Sequence, residues 1–199
     1  MLIQNVFEKY NIKPKGIIHI GAHYCEEYEI YKNGAGCDNI LWIEANPYVC
    51  ENNKTHKVYQ ACISDKTGDM VDFIITNNGQ SSSFLELKEH LVEHPMVFEE
   101  KRIKLNTITL DDFMRDNELR IENYDFLAMD IQGAELHALK GMGKLIDNFK
   151  YIYMEVNVKE LYKDCGLLNE VVEFLKNKFK MVDIKVTEHG WGDALFVKE

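Results

Sequence analysis

The segment IIHIGAH at 17–23, followed by LWIEANP at 41–47, constrains this chain more than anything else in it. An apolar run ends in a Gly-Ala turn, a helix-compatible stretch follows, and a second apolar run ends in Glu44. Two strand ends arranged this way place backbone amides under a polar tail and a carboxylate beside a ribose diol, which is how a nucleoside is cradled.

The rest of the chain agrees with a fold of that kind. Its 199 residues, 46% hydrophobic and 28% charged, suffice to bury one core, so a single domain over 1–199 is expected. Cys25, Cys37, Cys50, Cys62 and Cys165 are odd in number and far apart, which supports neither a disulfide framework nor a C-x-x-C pair. They read as reduced thiols. Glu8, Lys9 and Asn11 interrupt the N-terminus before an apolar run reaches signal-peptide length, and no stretch approaches the roughly 18 apolar residues of a membrane span. A cytoplasmic protein is expected. A net charge of −10 with scattered lysines leaves no footprint for phosphate backbones or anionic lipid, so nucleic acid and membrane are not expected partners. Nothing in the pattern sets an oligomeric state.

Short apolar runs rich in Ile, Val, Tyr and Phe recur at 16–20, 39–45, 57–63, 124–130, 150–156, 180–187 and 193–198, mostly separated by helix-compatible segments. That alternation predicts an α/β fold with a mostly parallel sheet and helices on both faces. Leu168, Val171, Val172, Leu175 and Phe179 follow the stripe of an amphipathic helix, and Leu136, Leu139, Met142 and Ile146 make a weaker one. An insertion at about 70–108 breaks the alternation, with strand-like pieces at 71–77 and 101–108 and a polar loop, NNGQSSS, at 77–83. The last two runs are joined by HGWG at 189–192, too short for a parallel crossover, so an antiparallel C-terminal hairpin is expected.

A dinucleotide would need G-x-G-x-x-G at the first turn, but from Gly21 the later two glycine positions hold His23 and Glu26. S-adenosylmethionine has no phosphates. It needs room for an amino acid tail, which Gly21, Ala22 and His23 can offer, an acid for the ribose, Glu44, and a polar contact to adenine, Asp65 in ACISD. The segments IHIGAHYCEE, LWIEANP, ACISDKTGD, NNGQSSSFLEL, YDFLAMDIQGAELHALKGMG, YIYMEVNVKELY and HGWGDALFV, in this order, resemble the FkbM-type S-adenosylmethionine-dependent methyltransferases. The resemblance implies a seven-stranded Rossmann-like methyltransferase sheet with a reversed terminal strand. It also implies cofactor contacts at Gly21, Ala22, His23, Glu44, Ala45, Asn46, Asp65 and Asp130. The family commonly carries an acid where His19 stands and a glycine where Cys25 stands.

If the methyl acceptor is a hydroxyl of a small molecule or a glycan, a base assists transfer, and carboxylates at strand C-termini are placed for it. Asp130 ends FLAMD and Glu155 lies in YMEVN; with Glu135 they are the candidate catalytic residues. Asp130 also suits a helix N-cap, and Glu135 would gain from the helix dipole in any case. Gln132 and Asn157, close by in sequence, are candidates to orient the acceptor, and Gln80 and Ser82 belong to a loop that the resemblance marks as a substrate lid. His90 and His94 have i, i+4 spacing without HExxH and precede Pro95, so they read as an exposed pair and no metal ligand is assigned. A divalent ion at Asp130 and Glu155, as in some O-methyltransferases, stays open. Trp42 is expected in the core; Tyr24 and Tyr28 could face the sulfonium and Trp191 could wall the pocket. Two rival functions remain: a non-catalytic binding protein that keeps this fold, motivated by His19 and Cys25, and an NAD-dependent oxidoreductase, which the missing glycines disfavour.

Overall fold

The computed structural model describes residues 5–199. The first four residues of the N-terminal stretch weighed above lie outside them. Among the described residues ten strands form: β1 Ile17–Ile20, β2 Ile40–Glu44, β3 Val58–Gln60, β4 Cys62–Ile63, β5 Met70–Thr76, β6 Glu99–Ile108, β7 Phe126–Met129, β8 Tyr151–Asn157, β9 Phe179–Val186 and β10 Trp191–Lys198. The helices are α1 Val6–Lys9, α2 Pro47–Asn52, α3 His90–Glu93, α4 Leu110–Asp116, α5 Glu135–Gly141 and α6 Leu168–Leu175. Seven strands in the order β3-β2-β1-β7-β8-β10-β9 make the main sheet. The pairs β1–β2, β1–β7, β2–β3 and β7–β8 run parallel, and β10 runs antiparallel to β9, as the short HGWG connection requires, and also to β8.

Alternate residues of the strands feed two cores, one on each face. Ile18, Ile20, Leu41, Ile43, Leu127 and Met129 pack with α4, α5 and α6. Ile17, Trp42, Phe126, Ala128, Tyr153 and Leu195 pack with Val6, Phe7 and Tyr31 on the other side. His19 belongs to the second core: it is 3% exposed, stacks on Trp42 with ring centroids 5.0 Å apart, and places Nδ1 2.9 Å from the Tyr31 hydroxyl. Burial drives its pKa down to about 3, so it is a neutral, satisfied core residue facing away from the site.

Three elements differ from expectation. The run at 57–63 is two strands, because the chain leaves the main sheet after Gln60 and β4 joins a second sheet in the order β4-β6-β5. That small sheet is the body of the insertion. The stripe from Leu168 to Phe179 is helical only to Leu175; a turn closed by Lys178 N–H on the Leu175 carbonyl follows, and Phe179 opens β9 while staying buried. The weaker stripe is broken too. Gly143 takes φ +53°, ending the α-helical run, and a 3₁₀ segment, Gly143–Asn148, carries Ile146 into the same core. No helix among the described residues is long and apolar enough to cross a membrane.

Candidate active site

The C-terminal ends of β1, β2, β7 and β8 converge on a cavity of about 440 Å³, roofed by the insertion. Its first half is made by the two opening segments. Gly21 turns the chain out of β1 at φ +89°, and a Cβ there would lie 1.8 Å from the Asp130 carbonyl oxygen, so only glycine lets β1 and β7 end side by side. The amides of Gly21 and Ala22 both donate to the Ile43 carbonyl, tying this turn to the end of β2. Glu44 completes the tie: its carboxylate accepts from His23 N at 2.9 Å and Asn46 N at 2.7 Å. Burial pushes the Glu44 carboxyl up while these two amides oppose the shift. Both oxygens keep lone pairs for a further donor.

The second half comes from distant segments. The loop at 77–83 crosses over the first turn, where a Cβ on Gly79 would sit 3.2 Å from His23 Nε2, and its Ser83 hydroxyl donates to the Gln132 carbonyl at 2.9 Å. Leu161, Tyr162 and Trp191 close the far wall, with His90, His94 and Val97 from α3 and its exit. Between the halves stand Asp130, Glu155 and Asp193, with Glu27 below. No lysine or arginine lines the cavity among the described residues.

This acid wall is held together by amide and hydroxyl donors. Gln132 Nε2 donates to Asp130 Oδ1 at 2.6 Å and lies 3.2 Å from Glu155 Oε2, while its Oε1 accepts from the Tyr162 hydroxyl at 2.6 Å. Tyr153 donates to Asp193. Burial raises the Asp130 carboxyl to about 6, the Gln132 donor opposes this, and Asp193 and Glu27 add to it. Asp130 nonetheless keeps contact with solvent through the cavity mouth. Glu155 is pushed well up by burial first and then by Asp130, Glu135 and Asp193. Packed carboxylates of this kind share protons rather than all ionising.

Not every expected residue reaches the cavity. Gly21, His23, Glu44, Ala45, Gln80, Ser82, Asp130, Gln132 and Glu155 line it. Ala22 is buried in the second core, and Asn46 caps α2 by accepting from Tyr48 N at 3.1 Å. Asp65 stands beside α5, where a Cβ on Gly141 would be 2.9 Å from its Cα, and does not line the cavity, whereas Ala61, Cys62 and Ile63 of the same stretch do. Asn157 is fully buried, and both polar atoms of its amide lack hydrogen-bond partners. Glu135 lies behind the wall: its Oε1 accepts from Ile131 N at 2.8 Å and Gly133 N at 3.4 Å, so it fastens the loop entering α5, and burial lifts its carboxyl to about 8. Asp130 is not the N-cap of α5, whose cap position is Ala134. Tyr24 is exposed and Tyr28 stacks on His56 at 4.3 Å, and neither lines the cavity, whereas Trp191 does.

His90 and His94 are a correction. They are not an exposed pair: His90 is 5% exposed, its ring lies 4.7 Å from that of His94 and 5.3 Å from that of Tyr162, and both histidines line the cavity. The helix that carries them is only four residues long and is pinned by the His90 N–H on the Leu161 carbonyl. Tyr162, Asp193 and Glu27 lie within segments that carry the resemblance, yet nothing in their spacing singles them out, because what brings them to the cavity is tertiary packing.

Asp130, Glu135 and Glu155 can each bring one oxygen within 4.8 Å of the others, the spacing of a metal-binding group. The donors already present fit it poorly to an ion. The Gln132 amide stands between Asp130 and Glu155, and Glu135 is spent on two backbone amides. S-adenosylmethionine fits better: Glu44 can accept from a ribose, and an acid-lined cavity without lysine or arginine suits a cationic sulfonium and ammonium.

Residues 16–181 match the model of the methyltransferase FkbM domain. The chain is 29% identical over 133 residues to the 2-O-methyltransferase NoeI of Sinorhizobium fredii (strain NBRC 101917 / NGR234), a match covering 63% of this chain and 53% of that protein. It thus spans about half the length of this curated relative. Among solved structures, a SAM-dependent methyltransferase from Aquifex aeolicus superposes with a TM-score of 0.45 at 8% identity, covering 98% of this chain and 89% of the other. The precorrin-6y C5,15-methyltransferase of Geobacter metallireducens GS-15 gives 0.46 at 12% identity, covering 94% and 81%. On the match over residues 16–181, this chain belongs to the FkbM methyltransferase domain family.

Proposed function

We propose that this protein is an S-adenosylmethionine-dependent O-methyltransferase acting on a hydroxyl of a small molecule or glycan. The observation that carries this reading is the charge of the cavity: Glu27, Glu44, Asp130, Glu155 and Asp193 line it without a lysine or arginine among the described residues. Such walls repel the pyrophosphate of NAD and attract a cationic cofactor. The relative's designation as a 2-O-methyltransferase supports a hydroxyl acceptor. The non-catalytic alternative, motivated by His19 and Cys25, is disfavoured, because both residues are buried in the core on the far side of the sheet and neither lines the cavity.

S-adenosylmethionine supplies a methyl group activated by its sulfonium. The chain's own part is to hold, orient and deprotonate. Glu44 would hold the ribose hydroxyls, and Gly21 and His23 would bound the amino acid tail. Asp130, with a pKa near 6 at a strand's C-terminal end, is ionised at neutral pH yet basic enough to take the acceptor hydroxyl's proton. The loop at 77–83 excludes water over the first turn.

The test is binding followed by turnover. S-adenosylhomocysteine at a hundredfold excess over its Kd stabilises the fold by about 2.7 kcal/mol, and NAD does not. Mass spectrometry of saccharide and small-molecule acceptors then detects the methyl ether. A folded protein that shows no thermal shift with either S-adenosyl compound refutes the reading.

A further inference from the structure

We propose that Tyr162 is a positioning residue for the methyl-transfer base: its hydroxyl fixes the Gln132 amide, and the amide holds the Asp130 and Glu155 carboxylates on one donor. This rests on the methyltransferase reading for its kinetic consequence and on geometry for the clamp itself.

The polarity of the chain of contacts leaves one arrangement. Tyr162 is 1% exposed, and burial, followed by the nearby Glu155 and Asp130 carboxylates, raises its pKa far above the usual value, so the phenol stays protonated and donates. The better of its two acceptors is Gln132 Oε1 at 2.6 Å; the Ser81 carbonyl is 3.4 Å away. With Oε1 held, the amide NH₂ points at Asp130 Oδ1 and Glu155 Oε2. The Gln132 backbone is fixed as well, at φ +56° and with its carbonyl accepting from Ser83. The residue is therefore restrained from the insertion on one side and from Tyr162 on the other. His90, whose ring packs 5.3 Å from that of Tyr162, holds the phenol in place from the cavity lip.

Removing the phenolic oxygen takes away the donor that fixes Oε1 of the half-buried Gln132 amide, so the side chain is free to turn its NH₂ away from the two carboxylates. Asp130 and Glu155 then lose their common donor while the other charged groups that face them, Glu27, Glu135 and Asp193, stay. Among the described residues no lysine or arginine lines the cavity to compensate. A carboxylate deprived of a donor among other carboxylates binds its proton more tightly, so the base is ionised only at higher pH.

The experiment compares Tyr162→Phe and Gln132→Leu with the natural protein. Each is expected to lower kcat by roughly tenfold or more while the KM for S-adenosylmethionine moves less than about twofold. The acidic limb of the kcat–pH profile moves to higher pH in both, and the double variant loses no more than the worse single one, as members of one unit do. A second readout needs no turnover. Between pH 6.5 and 8 the melting temperature of ligand-free protein, measured relative to the natural protein at each pH, drops progressively with rising pH in both variants. If Tyr162→Phe does not fold, Gln132→Leu, which leaves the phenol ring packed, carries both readouts. Folded variants that bind S-adenosylhomocysteine normally, with an unmoved pH profile and unchanged pH dependence of melting, overturn the proposal. A natural protein that transfers no methyl group, but whose variants show that progressive drop in melting temperature, leaves the clamp intact and removes the methyltransferase reading instead.

Discussion

In the half of the cavity built by β1 and β2, the working groups, Gly21, His23 and Glu44, lie on two adjacent strand ends and bond to one another through short local contacts. In the facing half, Gly79, His90, Gln132, Tyr162 and Trp191 arrive from five separate segments and meet only after the insertion has folded over the sheet. The first half needs one supersecondary unit to be in place, and the second needs the whole tertiary structure. Their failure modes differ accordingly: damage to the first should show in cofactor binding, and damage to the second in turnover.

The largest expected effect sharpens that contrast at the boundary. Asp130→Asn keeps the size of the side chain but removes the base, and kcat falls by about 100- to 10,000-fold. S-adenosylhomocysteine still shifts the melting temperature as in the natural protein. Loss of that shift together with activity would merge the two halves, because Asp130 would then be holding the cofactor as well.

Next comes Glu44→Ala, which reverses the pattern. The change leaves His23 N and Asn46 N without their acceptor, at a cost of about 1–3 kcal/mol in stability, and removes the ribose acid. The Kd for S-adenosylhomocysteine is expected to rise by roughly 10-fold or more, read by calorimetry. Glu44→Gln restores one amide contact and part of the stability without the charge. An unchanged Kd in Glu44→Ala would break the comparison, since the first half would no longer be where the cofactor is held.

The same contrast explains what was legible in the sequence. The mostly parallel sheet, the reversed hairpin and the Gly21–Glu44 pair follow from period, loop length and turn chemistry, which are local properties, whereas the seven-stranded sheet is implied by the resemblance alone and its strand order is seen only in the structure. The acceptor half has no such signature. His90 and His94 looked solvated because a four-residue helix before Pro95 has no amphipathic pattern, and what buries His90 is packing against Tyr162, far along the chain. Asn157 is a candidate in the sequence because it lies close to Glu155 along the chain, yet it is fully buried opposite Trp191 and does not line the cavity. Asp65 was misplaced for another reason. The run before it divides after Gln60, and β4 turns into the second sheet, carrying Asp65 toward α5.

The smallest expected effect concerns the wall that the two halves share. Carboxyls whose folded pKa is raised bind more protons in the folded state than in the unfolded one, so their contribution to stability is lost as pH rises through the folded value. For Glu135 that value is about 8, and Glu155 is shifted in the same direction. Three other sets of groups confine the clean window. Buried His19 and His90 and half-buried His94 and His137 have lowered values, so they add stability with rising pH until the unfolded histidines, with a value of about 6.5, have lost their protons at about pH 7.5. Surface pairs such as Arg102 with Glu86 and Glu99 hold their carboxyls low and weaken only in acid. Buried thiols begin to oppose folding only near their unfolded value of about 8.5. Between about pH 7.5 and 8 the melting temperature of the ligand-free protein should therefore fall, each kcal/mol being worth roughly 2–4 °C in a chain of this size. Glu135→Gln keeps an acceptor for Ile131 N and Gly133 N but cannot ionise, so the fall becomes shallower while the fold persists. A slope untouched by Glu135→Gln would assign the pH response to Asp130 and Glu155 alone, and the acid cluster would then be a property of the acceptor half rather than of the wall between the two.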